Sequence, residues 1–250
     1  QFEGAYAFQM LCEFKPKNLF DMSLVTAALR PSGASYRNEL MKKQFHKNPS
    51  SIIDDMLKDN YGFLVYQEDT IKFLKDVCGL SGSDADNIRR AIGRKQKDRL
   101  EAAMPSILEG YCKMSSQPRN VAENEAKEFL QIIEDSASYQ FGYNHSLAYC
   151  MVGYLCAYLR YYYPAEFTTS YLNNSDNDSD IVSGYELARA YNIPIKPPRF
   201  RHSLDKYVLD KNENTIYKGV ASIKFLNAIA SNYLYSLRDK LQALEVAGVK

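Results

Sequence analysis

Tryptophan is absent from this 250-residue chain, histidine occurs three times, and the charges nearly cancel, with 31 Lys and Arg against 30 Asp and Glu. A formal net charge of +1 gives no global attraction to polyanions, so any electrostatic function must come from local clustering. Cysteine is sparse: Cys12, Cys78, Cys112, Cys150 and Cys156 form no CxxC pair, and the histidines stand far from zinc-ligand spacing. That pattern argues against a disulfide framework and a zinc site, and implies reduced thiols in a cytoplasmic protein. The start of the chain lacks the cationic segment and apolar core of a signal peptide. Its first residue is Gln1, from which a piece of a longer protein is expected. Long apolar runs are also missing. The most apolar stretch, LAYCMVGYLCAYLRYYY at 147–163, carries Arg160 and falls short of the roughly 20 residues a bilayer span requires. No membrane partner is expected; a helix apolar on most sides reads as the central helix of a soluble core.

What is present suits a mainly α protein. The chain is 46% hydrophobic, with 12 Phe and 20 Tyr, enough to bury a substantial core. Residues 1–30 read as two short helices broken near Pro16, and Arg30-Pro31-Ser32-Gly33 ends the second. Residues 34–48, with Arg37, Lys42, Lys43 and Lys47, read as an exposed helix or extended arm. Further helices are predicted over 52–57, 63–80 and 122–139; Leu64, Ile71, Leu74 and Cys78 share a face in the second, and Ala126, Phe129, Leu130 and Ile133 form the stripe of the third. The polar run NNSDNDSD at 173–180 reads as a loop that caps the next helix. After 181 the pattern changes to a helix, a Pro-rich extended link, two strands joined around Lys211–Asn214, and a closing helix. The expected architecture is therefore a multi-helix domain over 1–180, followed by a small α+β element (a β-hairpin plus helix) over 181–250.

Positive charge concentrates in SDADNIRRAIGRK, residues 83–95, which holds Arg89, Arg90, Arg94 and Lys95; Lys97 and Arg99 follow. Ser81 is placed to cap a helix here. At about 100° per residue, Ala85, Ile88 and Ile92 fall on one side, and Arg90, Arg94 and Lys97 form a ridge on the other. Arg89 and Lys95 flank that ridge. Arginine offers planar paired donors and lysine a compact charge, both suited to a triphosphate; the bland alternative is a solvated helix face. Carboxylates able to hold a metal are not evident. Asp54 and Asp55 are adjacent on a short helix and point apart, while Asp176, Asp178 and Asp180 sit in a loop without strand support.

Several segments, in order, resemble the bacterial replicative DNA polymerase III alpha subunit. QFEG (1–4) is similar to the family's FQxES, LVTAALRPSG (24–33) to ALxRPGP, and YGFLVYQEDT (61–70) to YGxxxYQEQ. GLSGSDADNIRRAIGRK (79–95) is similar to GxSxxxADxLRRAMGKK, FGYNHSLAY (141–149) to FxFNKSHxxAY, and YLRYYYPAEF (158–167) to YLKxxYPAEF. YNIPIKPPRFRHSLDKYVL resembles the stretch after the fingers, and IYKGVASIK (216–224) the GxxAIKG strand and turn.

The resemblance implies that 1–180 is mostly fingers, with 1–33 adjoining the palm, and that 181–250 opens the helix-hairpin-helix and clamp-binding region. It implies nucleotide binding by Arg89, Arg90, Arg94, Lys95 and Lys97, with Arg30, Asn144 and His145 near the same cleft. Tyr66, Gln67 and Glu68 would order that cleft, and Lys42 and Lys43 would touch DNA. The implied partners are a deoxynucleoside triphosphate, template-primer DNA, the palm and thumb of the polymerase, and the sliding clamp. Mg²⁺ would be held by catalytic aspartates that precede Gln1, so no polymerisation is expected from this segment alone. The sequence departs from the family in two places: FNKSH shortens to FGYN-His145-Ser146, leaving one polar contact without a counterpart, and RPGP becomes RPSG. These departures, with abundant Tyr, Lys and Asn, suggest a divergent member from an AT-rich phage or mobile replicon. The alternative is a non-catalytic, polymerase-derived module that binds DNA or protein.

Overall fold

The computed structural model describes residues 2, 4–137, 140–199 and 203–237. It divides into two compact units, Gln1–Gly153 and Tyr154–Lys250; the compositional shift near 180 falls inside the second. In the first unit the helices are α1 (Ala5–Phe14), α2 (Leu19–Ala28), α3 (Arg37–Met41), α4 (Ser51–Met56), α5 (Gln67–Lys72), α6 (Gly82–Gly93), α7 (Lys97–Met114) and α8 (Arg119–Ser136). The next helix, α9 (Tyr143–Tyr162), contains the unit boundary.

Two apolar clusters hold the first unit. One gathers Ile53, Phe73, Leu74, Ile107, Tyr111 and the predicted α8 stripe, Ala126, Phe129, Leu130 and Ile133. The other joins α1, α2 and α3 through Phe14, Leu24, Val25, Leu40 and Met41, with Tyr66 at its edge. Leu40 and Met41 are buried, so α3 is not the free arm that its lysines suggest. Arg37 is equally engaged: its Nε donates to the Ala28 carbonyl and its Nη2 to the Arg30 carbonyl at 2.8 Å, closing the end of α2.

The helix predicted over 63–80 is broken. Val65 and Gln67 bracket a parallel bridge between Tyr66 and Phe141, and α5 begins only after it. The turn Phe73–Val77 is then widened, with the Cys78 amide reaching back five residues to the Phe73 carbonyl at 3.0 Å. Gly79, at φ +72°, ends the segment as its backbone freedom allows.

The cationic ridge is not a single helix face. Helix α6 stops at Gly93, Lys95 adopts φ +57°, and α7 restarts at Lys97. Packing explains the break. Ala85, Ile88 and Ile92 are buried from α6, and Leu100, Ile107 and Tyr111 from α7. In one unbroken helix those two sets would face directions roughly a quarter turn apart.

Helix α9 also departs from expectation. Among its described residues only Ser146 and Cys150 are buried, while Met151, Val152, Tyr154, Leu155, Tyr161 and Tyr162 are each more than half exposed. Apolar composition on all sides does not by itself bury a helix. Among the described residues no helix is long and apolar enough to cross a membrane.

The second unit packs α10 (Pro164–Asn173) and α11 (Asp178–Ala190) with β1 (Ile195–Lys196), β2 (Val208–Asp210) and β3 (Thr215–Tyr217), followed by α12 (Ala228–Ser236). Asn177 caps α11 by accepting from the Asp180 amide at 2.9 Å, the role read for the polar run. β2 and β3 pair antiparallel around the predicted turn, and β1, from the Pro-rich link, adds in parallel on the other side of β3. Ala165, Ala188, Ile193 and Ile216 form its core. The fold is mainly α with a small α+β element, as expected; the end of the closing helix lies outside the described residues.

Candidate functional site

The densest meeting of predicted site residues lies in the first unit, around the strand-like segment 140–141. The Gln67 amide donates to the Phe141 carbonyl at 3.0 Å, and its side-chain nitrogen to the Gln140 carbonyl at 3.3 Å. On its other side Gln67 Oε1 accepts from Arg89 Nη1 at 3.0 Å. One glutamine therefore ties α6 to the entry of α9. Glu68 accepts from the Tyr143 amide at 2.9 Å, placing a carboxylate at the positive end of α9. Tyr66 stacks edge-on against Tyr143 and hydrogen-bonds Ser23; burial pushes its phenol well above the ordinary range.

Beneath this segment sits Asp69, a residue the sequence reading passed over. Its carboxylate accepts from the Tyr66 amide at 2.7 Å, the Val65 amide at 3.1 Å and Asn60 Nδ2 at 2.9 Å. Burial nonetheless outweighs those donors and raises its pKa to about 6. The signal was available: an acidic residue in the third position of a helix commonly reaches back to the cap.

Around Phe141 the structure brings together three further predicted residues. The Arg30 guanidinium lies 4.9 Å from the Phe141 ring centre, and His145 packs against the same ring at 5.3 Å and against Tyr149 at 4.5 Å. Asn144 is exposed beside it. Arg30 makes no ion pair among the described residues, and its guanidinium rests on an aromatic support.

The cations of α6 and α7 fall into two kinds. Arg89 is 21% exposed and fully engaged: its Nε and Nη2 both meet Asp86 Oδ1 at 2.9 Å, and Nη1 meets Gln67. Arg90 is 57% exposed and held at one point, Nη2 to Asp86 Oδ2 at 2.7 Å. Hydrogen bonds from Arg89, then Arg90, hold the Asp86 carboxyl below the usual carboxylate range. The spacing of Asp86 from the two arginines is i+3 and i+4, so this pairing was legible. Arg94, Lys95, Lys97 and Arg99 are exposed and make no ion pair among the described residues. They surround the break between the helices, and Lys95 holds a left-handed backbone conformation there, which costs a non-glycine residue about 1 kcal/mol.

Lys42 and Lys43 do not join this group. Lys42 is exposed at the end of α3, and the Lys43 ammonium sits 4.5 Å from the Phe14 ring centre. No interaction among the described residues links either to Arg30 or α6. Nor do three or more His, Cys, Asp or Glu gather in a metal-holding group among the described residues.

Comparison with known proteins places these motifs. Residues 1–115 match the bacterial DNA polymerase III alpha subunit finger domain. The chain is 28% identical over 246 residues to the DNA polymerase III subunit alpha of Aquifex aeolicus and, over the same length, to that of Bacillus subtilis, covering 96% of the chain and 21% of each relative. It is 28% identical over 229 residues to that of Ureaplasma parvum, covering 90% of the chain and 23% of the relative. The chain thus spans about a fifth of the length of these relatives.

Proposed function

Because the chain carries a DNA polymerase III alpha fingers region, we propose that it binds the triphosphate of an incoming deoxynucleotide, beside template-primer DNA, within a longer replicative polymerase. The observation that carries this reading is the cluster of exposed cations at the α6–α7 break, which outnumber the single Asp98 beside them. Arg94, Lys95 and Lys97 are exposed and unpaired among the described residues, next to a half-free Arg90. A triphosphate presents several negative oxygens over a few ångströms, and closely spaced cations that spend little on internal partners match it. Arg89 takes a different part in this reading: with its donors committed to Asp86 and Gln67, it braces α6.

Mg²⁺ and the carboxylates that hold it belong to residues outside these 250 positions, so the segment's share is binding and orientation. The test is fluorescence titration with a mant-labelled dATP. Changing Arg94 and Lys97 together to Ala is expected to weaken binding about tenfold; unchanged affinity would remove both from the site. Salt-sensitive DNA binding with no nucleotide binding would instead favour the non-catalytic module.

Lys95 gives a second, cleaner test. Glycine fits a left-handed position without strain, and the gain is partly offset by the freer unfolded chain. Lys95→Gly is therefore expected to keep or raise stability, by up to about 1 kcal/mol, while weakening mant-dATP binding. Denaturation and titration of the same preparation check both halves.

A further inference from the structure

We propose that Asp86 is a positioning residue of the nucleotide site, holding Arg90 in the orientation that receives phosphate; this rests on the reading above. One carboxylate bridges two neighbouring arginines, with Oδ1 on Arg89 and Oδ2 on Arg90. Its orientation is itself fixed. Arg89 grips Oδ1 through two nitrogens, and its third nitrogen is anchored on Gln67, whose backbone is bonded to Phe141. The chain Phe141–Gln67–Arg89–Asp86–Arg90 thus runs from the entry of α9 to the last turn of α6. Only its final member retains most of its donors: Arg90 uses one nitrogen and leaves the rest of a 57% exposed side chain for a ligand.

Exposed ion pairs of this kind add little to folding stability. What Asp86 supplies is preorganisation: a long arginine held in one direction loses less freedom when it takes up an anion. The charge of Asp86 works the opposite way, since a carboxylate near a triphosphate repels it. The two effects predict opposite outcomes for the neutral isostere. If Asp86 matters only as a nearby negative charge, Asp86→Asn tightens nucleotide binding, and added salt abolishes the difference. If it positions Arg90, Asp86→Asn weakens binding despite removing the repulsion.

The experiment is mant-dATP titration of the full chain, wild type against Asp86→Asn, Asp86→Glu and Arg90→Ala, at low and high salt, with thermal unfolding of each. We expect Asp86→Asn to weaken binding about fivefold to tenfold, to remain weaker at high salt, and to unfold at the wild-type temperature. Asp86→Glu, which retains the bridging charge, is expected to recover most of the loss. Binding by Asp86→Asn that is equal to or tighter than wild type overturns the proposal, as does a loss matched by a fall in unfolding temperature that Asp86→Glu does not repair. The broader reading fails separately, if Arg90→Ala and the Arg94/Lys97 double variant both bind as the wild type does.

Discussion

Gly110→Ala is expected to cost about 3 kcal/mol or more of folding stability, enough to unfold much of the protein under mild conditions. Gly110 lies in α7 where that helix crosses the Cys78 carbonyl. A methyl group there would overlap the carbonyl oxygen outright and press on the Cys78 carbonyl carbon. Both obstacles are backbone, held by the hydrogen bond between Cys78 and Phe73, so neither can swing aside as a side chain would. Relief requires α7 to lift from the widened turn, and that lift would open the contacts of Ile107 and Tyr111 in the first apolar cluster. Gly93→Ala is the control. It faces open space at the end of α6, and alanine there is expected to be neutral or slightly stabilising. Urea denaturation of both variants decides the matter; a loss below about 1 kcal/mol for Gly110→Ala would mean that the helix crossing is looser than described.

The second large effect is a pH dependence centred on Asp69. Its carboxyl titrates near 6 in the fold, against 3.8 for a free side chain. Between those values the folded state binds more protons than the unfolded state, so stability falls as pH rises through that window. That rise corresponds to a destabilisation of about 3 kcal/mol, which is absent below pH 4 and complete once pH is well above 6. Asp69→Asn keeps an acceptor for the Tyr66 and Val65 amides without the charge. The difference in unfolding free energy between wild type and Asp69→Asn, measured from pH 4 to 8, is therefore expected to change by that amount, with the variant gaining relative stability as pH rises. A difference that stays flat would show that the donated hydrogen bonds cancel the effect of burial, and one of opposite slope that they outweigh it. The site follows the same logic, since Asp69 holds the turn from which Tyr66, Gln67 and Glu68 project.

Much of this arrangement was legible from spacing. The amphipathic stripes of α6 and α8, the caps Ser81 and Asn177, and the β2–β3 turn are local facts, decided by residues within a few positions of one another. The break after Gly93 was not, because AIGRKQKDRL contains no proline and most of its residues favour a helix. What breaks it is the demand to bury Ile92 and Leu100 against different neighbours, a tertiary requirement that outweighs propensity. The exposure of α9 escaped for a related reason: periodicity reports what a helix would prefer to bury and is silent on whether anything covers it. At the site, the residue types were readable and their commitments were not. Arg89 and Arg90 look alike in sequence, yet one is locked to a glutamine 22 positions away and the other is held through a single nitrogen.

The widened turn at Phe73–Val77 bears on how chain length is set here. Its two outward residues, Lys75 and Asp76, are more than half exposed and, among the described residues, pair with each other, while Phe73, Leu74 and Val77 face the core. A five-residue loop of helix spends one residue more than an ordinary turn over the same rise. Losing either outward residue would tighten the coil to regular geometry and leave the flanking segments in phase, so this is a place inside a helix where a codon can be dropped without scrambling the buried face.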